Sequence, residues 1–339
     1  MYTLELKAWA KINLALEVLG RQADGRHSLE TVMHRVEIAD DVTIIRRTGA
    51  PPAISGPGLA AGRILTITDS TQAPGGAANT ASRAAAAFLD AIDSARIRRG
   101  DSVEIRIRKR IPVAAGLGGG SADAAAVLVG MNQLWGAPLS MERLLVVGGV
   151  IGADVPFCIL SHGDPPQAYA AFATGVGDTL TPIPGLPGVA VVLAKPSKGL
   201  ETREIYATWD EMQNQGEMRD RAAPIHERSV SGFARLLAEV LLGASTENKL
   251  ARACLFMRND LEPPAVAACP EVTLIKAKLA ELGAMATAMS GSGPTVFGVF
   301  GAEDEALHVA DCLGRWGSAA GLSVIVTHAG IAPESGNIE

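Results

Sequence analysis

Four glycines in five residues, Gly116, Gly118, Gly119 and Gly120, stand in the run Pro112-Val-Ala-Ala-Gly-Leu-Gly-Gly-Gly-Ser121, and the sequence on either side restricts the fold. Upstream, Val103, Ile105 and Ile107 alternate with Glu104, Arg106 and Arg108, the period of a half-buried strand. Downstream, residues 122–131 are helix formers or apolar until Gly136 and Pro138. A helix is therefore expected over 121–135, with Ser121 as its cap. A glycine turn leading from a strand into a helix N-terminus lets the backbone approach a ligand and aims several N–H groups at one anion. Phosphate is the natural guest; a ligand-free turn is the alternative.

Two better-known phosphate loops are excluded. A Walker A motif needs a lysine after its last glycine, and no lysine occurs over 111–142. A dinucleotide fingerprint G-x-G-x-x-G would need glycine at Ser121 or at Asp123, according to register. An NAD-dependent oxidoreductase is disfavoured on that ground.

The 339 residues suit two lobes, with a boundary expected near 165, giving lobes over 1–165 and 166–330. Hydrophobic residues at 48% against 19% charged supply a packed core and argue against overall disorder. The 30 Lys and Arg against 36 Asp and Glu form no basic block, so nucleic acid is not an expected partner. Local N–H groups and a few lysines still suffice to bind a polyanion. Cys158, Cys254, Cys269 and Cys312 lack zinc-finger or C-x-x-C spacing, which implies a reducing compartment. Glu5, Lys7 and Lys11 interrupt the N-terminal apolar residues, and no stretch approaches the ~18 uncharged apolar residues of a membrane span. A cytoplasmic protein with no membrane partner is expected.

Strands are expected over 3–7, 12–18, 103–108, 189–194, 295–300 and 323–327, and helices over 81–92, 271–282 and 303–316. Residues 211–231, broken by Gly216 and Pro224, read as a mobile surface excursion. Asp154 interrupts the apolar run 144–160. A buried carboxylate needs a cationic or hydrogen-bonding partner; the alternative is an aspartate that caps a helix.

The glycine loop followed by Ser121-Ala-Asp-Ala-Ala125 resembles the signature of the galactokinase, homoserine kinase, mevalonate kinase and phosphomevalonate kinase superfamily, the GHMP kinases. Further segments narrow the resemblance: Ala10-Lys-Ile-Asn-Leu14 with Gly20-Arg-Gln-Ala-Asp-Gly-Arg-His27, then Gly152-Ala-Asp-Val-Pro156 and Ser290-Gly-Ser-Gly-Pro-Thr295. Together they resemble the branch whose acceptor is CDP-methylerythritol, on the non-mevalonate (MEP) route to isoprenoid precursors. Gly175-Val-Gly-Asp178, Thr202-Arg-Glu-Ile-Tyr206 and Asn259-Asp-Leu-Glu262 extend the likeness over nearly the whole chain, with 51–76 and 211–249 contributing little.

The resemblance implies an α/β, two-lobe GHMP kinase fold: an N-terminal ATP lobe of the ribosomal-protein-S5-domain-2-like type and a C-terminal ferredoxin-like α+β substrate lobe. It implies direct transfer of the γ-phosphate of ATP, bound with Mg²⁺, to the substrate's 2-hydroxyl, and a monomer or weak homodimer. Asp154 would be the base, oriented by Lys11. ATP would be held by Pro112, Val113, Ala114, Ala115, Gly116, Leu117, Gly118, Gly119, Gly120, Ser121 and Ala122, with Asn79 and Lys109. The substrate would meet Asn13, Arg26, His27, Thr202 and Tyr206. Metal ligands are not assigned.

Simpler roles stand beside several of these. Asn79 and Thr80 fit a helix cap as well as a nucleotide, and Lys109 fits a solvated strand end. Ser121 fits a phosphate contact, a Mg²⁺-bound water or a cap. The 290–293 run supplies either backbone donors or a plain turn. Where the family usually has tyrosine, stacking on cytosine, this chain has Arg26. Its guanidinium either stacks there opposite Tyr206 or lies exposed. Another superfamily kinase and a non-catalytic nucleotide-binding module are the rival classes, the second weakened because Lys11 and Asp154 are both present.

Overall fold

The computed structural model describes residues 1–49, 63–98, 100–186, 188–215, 232–243 and 248–329. Its contacts divide the chain into two units. One comprises Met1–Lys11, Ile38–Val113 and Gly118–Gln167, and the other Ile12–Glu37, Ala114–Leu117 and the chain from Ala168 onward.

In the first unit, β1 (Tyr2–Arg21) and β2 (His27–Arg47), which both continue into the second, pair with each other. The two strands expected over 3–18 are thus one. β3 (Ile64–Thr68) follows, then α1 (Thr80–Ala91) and β4 (Ser102–Arg108). β4 runs antiparallel to β2, with Asp41 opposite Arg108, and parallel to β3. As its alternation requires, Val103, Ile105 and Ile107 are buried; fully burying such a side chain contributes about 1.5–3 kcal/mol. α2 (Gly119–Leu134), α3 (Met141–Ile151) and α4 (Val155–Leu160) complete the unit. α1 packs on α2, and small residues of both helices are buried, among them Ala81, Ala84 and Ala85 on α1 and Ala122, Ala124 and Ala125 on α2.

In the second unit, β5 (Ala170–Thr174) and β6 (Thr179–Ile183) form a hairpin whose β5 pairs with residues 31–34 of β2. β7 (Val189–Lys195) is buried from Val189 to Ala194, the run of a strand flanked on both sides. After it come α5 (Thr202–Asn214), α6 (Phe233–Leu242), α7 (Lys249–Cys254), α8 (Glu262–Ala268) and α9 (Glu271–Glu281). β8 (Ala286–Met289), β9 (Val296–Phe300), α10 (Glu303–Gly317) and β10 (Ser323–Ala329) close the described chain. The order β10-β7-β9-β8 is antiparallel throughout. Ala306, Val309 and Leu313 of α10 join a core with Ile275 and Leu279 of α9 and Val192 of β7.

Two expectations need correction. Ser121 does not cap α2, because the helix begins two residues earlier. Gly118 takes the N-cap position in the left-handed region, without a side-chain cap. Residues 211–214 are not surface excursion but the last turn of α5; residues 216–231 lie outside the described residues.

Candidate active site

The residues singled out from the sequence fall in both units. In the first, α4 follows α3 after the break at Gly152, and Asp154 occupies the N-cap position of α4. Its side chain makes no capping bond. It meets Lys11 of β1 instead, with Nζ 3.2 Å from Oδ2. The lysine side chain is 4% exposed and the carboxylate 32%, so the pair offers an open carboxylate backed by a buried cation. Burial, reinforced by the Asp154 charge, pushes the neighbouring Cys158 thiol well above its ordinary range, which removes it as a nucleophile.

Gly118 holds this pair close to the loop. At φ +69° its backbone lies where side chains are rarely tolerated, and an added Cβ would come within 3.0 Å of Lys11 Cγ and 3.1 Å of Cε. The first helical bond of α2 runs from Ala122 N to Gly118 O at 2.8 Å. The N–H groups of Gly119, Gly120 and Ser121 precede it, an arrangement suited to an anion. Thr80 Oγ1 donates to Gly120 O at 2.7 Å, tying α1 to this turn.

Asn79 caps α1: its side-chain oxygen accepts from Ala81 N at 2.9 Å and its amide donates to Pro74 O at 2.8 Å. Lys109 is not a solvated strand end. It is buried between Asp40 and Asp123, with Nζ 2.8 Å from Asp123 Oδ2. Burial alone would lower the lysine's pKa, but Asp123 and Asp40 outweigh it and hold the value above the ordinary one.

In the second unit the 290–293 segment is a turn, with Gly293 N donating to Ser290 O at 2.9 Å, and it also braces the glycine loop. Ser290 Oγ donates to Gly116 O at 2.9 Å and accepts from Asn13 N at 3.2 Å. A Cβ on Gly116 would collide with Ser290 O at 2.1 Å. Asn259 of the Asn259-Asp-Leu-Glu262 segment donates to Met289 O and Gly291 O, both at 2.7 Å, and so shapes this turn. Thr202 bonds the Ser292 hydroxyl at 2.8 Å, and Asn13 Nδ2 donates to Thr31 Oγ1 at 2.8 Å.

The His27 imidazole stacks on Tyr206, ring centroids 4.7 Å apart, and stands edge-on to Trp209 at 5.6 Å. Its Nε2 lies 2.7 Å from Asp210 Oδ1. Arg26 takes no part in this stack. Its backbone N–H and guanidinium both turn back onto the Asp24 carboxylate, and its side chain is exposed.

The sequence matches the model of the GHMP kinases N terminal domain over residues 79–162 and that of the GHMP kinases C terminal over 241–319. A 4-diphosphocytidyl-2-C-methyl-D-erythritol kinase of Geobacter metallireducens is 37% identical over 306 residues, 90% of this chain and 92% of that protein. The enzyme of the same name from Acetivibrio thermocellus is 36% identical over 90% of this chain and 93% of its own. The chain belongs to the 4-diphosphocytidyl-2-C-methyl-D-erythritol kinase family, within the GHMP kinases. A crystal structure of 4-(cytidine 5'-diphospho)-2C-methyl-D-erythritol kinase, 30% identical, superposes over 97% of this chain and 100% of that one with a TM-score of 0.67. A homoserine kinase from Cytophaga hutchinsonii, 17% identical with a TM-score of 0.63 over 96% and 95%, shares the fold.

Within this kinase family fold, the structure brings Lys11 to Asp154, Ser290 to Gly116 and His27 to Tyr206. Sequence reasoning missed Asp210, Asp40 and Asp123. For Asp123 a signal existed, since it interrupts a buried run of alanines as Asp154 interrupts its own apolar run. Among the described residues no three His, Cys, Asp or Glu side chains are grouped to hold a metal, and no helix is long and apolar enough to cross a membrane.

Proposed function

We propose that this chain transfers the γ-phosphate of ATP to the 2-hydroxyl of 4-diphosphocytidyl-2-C-methyl-D-erythritol, a step of MEP isoprenoid precursor synthesis. The observation that carries the mechanism is the Lys11 to Asp154 pair beside Gly118. Asp154 accepts the proton of the 2-hydroxyl, the hydroxyl oxygen attacks the γ-phosphorus in line, and the β–γ bridging oxygen leaves with ADP. Lys11 holds the carboxylate in position and offsets the charge that develops on the transferred group. The backbone N–H groups over 116–121 cradle the phosphates, that of Ala122 being spent on the first helical bond to Gly118 O, and ATP enters as its magnesium complex, the ion arriving as part of the substrate. Pro112, Val113, Ala114 and Ala115 shape the approach to that cradle, and Asn79 sets the start of the facing helix.

The cytosine is held by His27 and Tyr206, with Asp210 fixing the imidazole and Asn13 and Thr202 supplied by the same unit. Arg26, tied to Asp24, lies outside this recognition. On this reading, residues 1–165 carry the ATP lobe and 166–330 the substrate lobe, except that the stretch 12–37, with Asn13 and His27, groups with the substrate side. The enzyme is cytoplasmic, a monomer or weak homodimer, and acts on small molecules without nucleic acid or membrane. A coupled ADP-release assay offering CDP-methylerythritol, homoserine and mevalonate side by side tests the assignment. Turnover with the first alone is expected, and absence of turnover with it would overturn the substrate assignment.

A further inference from the structure

We propose that Lys109, Asp40 and Asp123 form a buried clamp that fixes the two ends of the glycine loop relative to each other, making Lys109 a positioning residue and not a nucleotide ligand. The side chains are 9%, 0% and 4% exposed respectively. Lys109 Nζ donates to Asp40 Oδ2 and to Asp123 Oδ2. Asp40 Oδ1 in turn accepts the N–H groups of Arg110, at 2.5 Å, and Ile111, at 2.8 Å, where β4 gives way to the loop. Asp123 lies on α2, four residues beyond Gly119, where the loop has become helix. One ammonium therefore links a carboxylate that grips the loop's start to a carboxylate carried by its end.

The charge balance supports the same role. Two carboxylates surround one ammonium, so the cluster presents no surplus positive charge to a polyphosphate. Burial, with a further push from Asp40, raises Asp123 to about 7 against the pull of Lys109. A carboxylate in that position depends on its lysine to stay in place. Gly119 closes the cluster: a Cβ there would lie 3.1 Å from Ile111 Cγ2 and 3.4 Å from Lys109 Nζ. The lysine is thus packed behind the loop, on the side of β4.

The clamp's consequence for ATP rests on the reading of the loop as the phosphate cradle. The test measures kcat, the KM of ATP and the KM of the acceptor for Lys109→Met, Asp123→Asn and the double variant. It adds the ATP dissociation constant by calorimetry without acceptor, so that an error in the acceptor's identity does not touch the comparison. Each single change is expected to weaken ATP about tenfold with the acceptor KM within about twofold. The double variant should be no worse than the weaker single, because both changes break one device. Loss of ATP affinity in Lys109→Met with none in Asp123→Asn would overturn the clamp and make Lys109 a direct nucleotide contact. If Lys109→Met fails to fold, Asp40→Asn carries the test with Asp123→Asn, since its remaining oxygen still accepts from Arg110 and Ile111. Unchanged ATP affinity in both would overturn the proposal. Absence of ATP binding by the unaltered chain would instead overturn the reading of the loop.

Discussion

Lys11 lies against Gly118 and Lys109 against Gly119, one residue further along the same loop, yet the carboxylates they meet differ in access to solvent. Asp154 is about a third exposed, with its Oδ2 3.2 Å from the lysine Nζ. Asp40 and Asp123 are buried, and both grip Lys109. Taking an ion pair out of water costs several kcal/mol per ion unless geometry and further hydrogen bonds restore it. The Lys109 cluster meets that demand with the loop's own N–H groups. The Lys11 pair avoids much of it by leaving its carboxylate open, and an open carboxylate can receive a substrate's proton. Similar side chains one glycine apart therefore divide into a reacting pair and a supporting one.

The largest effect should come from the reacting pair. Asp154→Asn keeps shape and size while removing the proton acceptor, and kcat should fall about a thousandfold with little change in the KM of ATP. Lys11→Ala should lose a comparable factor. Steady-state ADP release measures both, and near-normal turnover by either variant would remove that residue from the chemistry.

Asp260 sharpens the comparison, being a half-buried carboxylate whose Oδ2 accepts from the Val18 backbone N–H at 2.9 Å, with the Arg258 charge acting on it. Burial raises it to about 6. A carboxyl whose folded pKa exceeds its unfolded value binds its proton more tightly when folded. Its contribution to stability is therefore complete below about pH 4 and is lost as the pH rises through about 6, at most roughly 3 kcal/mol. Denaturant titrations at pH 4 and pH 7 should show Asp260→Asn gaining on the unaltered protein at the higher pH. An equal difference at both values would show that Asp260 does not titrate in this range.

The neighbouring glycines offer a smaller but more pointed contrast. Gly118→Ala forces a Cβ against the Lys11 stem at positive φ, and kcat should drop about tenfold. Gly119→Ala pushes instead on Ile111 and Lys109, and its loss should appear chiefly in the KM of ATP. A reversed pattern would contradict the division of roles. The smallest effect is expected at Arg26, which pairs with Asp24 away from the His27 and Tyr206 rings. Arg26→Tyr should alter the preference for cytidine over uridine forms of the substrate by less than about threefold.

Much of the frame was legible because local patterns and burial agree. The alternation over 103–108 is β4, the apolar run 189–194 is the interior of β7, and the spacing of Ala306, Val309 and Leu313 is the inner face of α10. Asp154 was legible as a charge in an apolar run. Asp123 met the same criterion, but among the helix-forming alanines around it the segment reads simply as helix. Asp210 had no local signal, since its partner His27 is 183 residues away and only folding joins them. The cap of α2 was misplaced because serine is the usual capping residue, whereas here Gly118 adopts the left-handed turn that packs Lys11 and lets the helix start at once.

The division between the two lysine clusters is most directly tested by single-turnover phosphoryl transfer at saturating ATP and acceptor, comparing Asp154→Asn with Asp123→Asn. The predicted result is a chemical step slowed about a thousandfold in Asp154→Asn and, once ATP saturates, restored to within about threefold of normal in Asp123→Asn. A step equally slow in both, or slow only in Asp123→Asn, would contradict it.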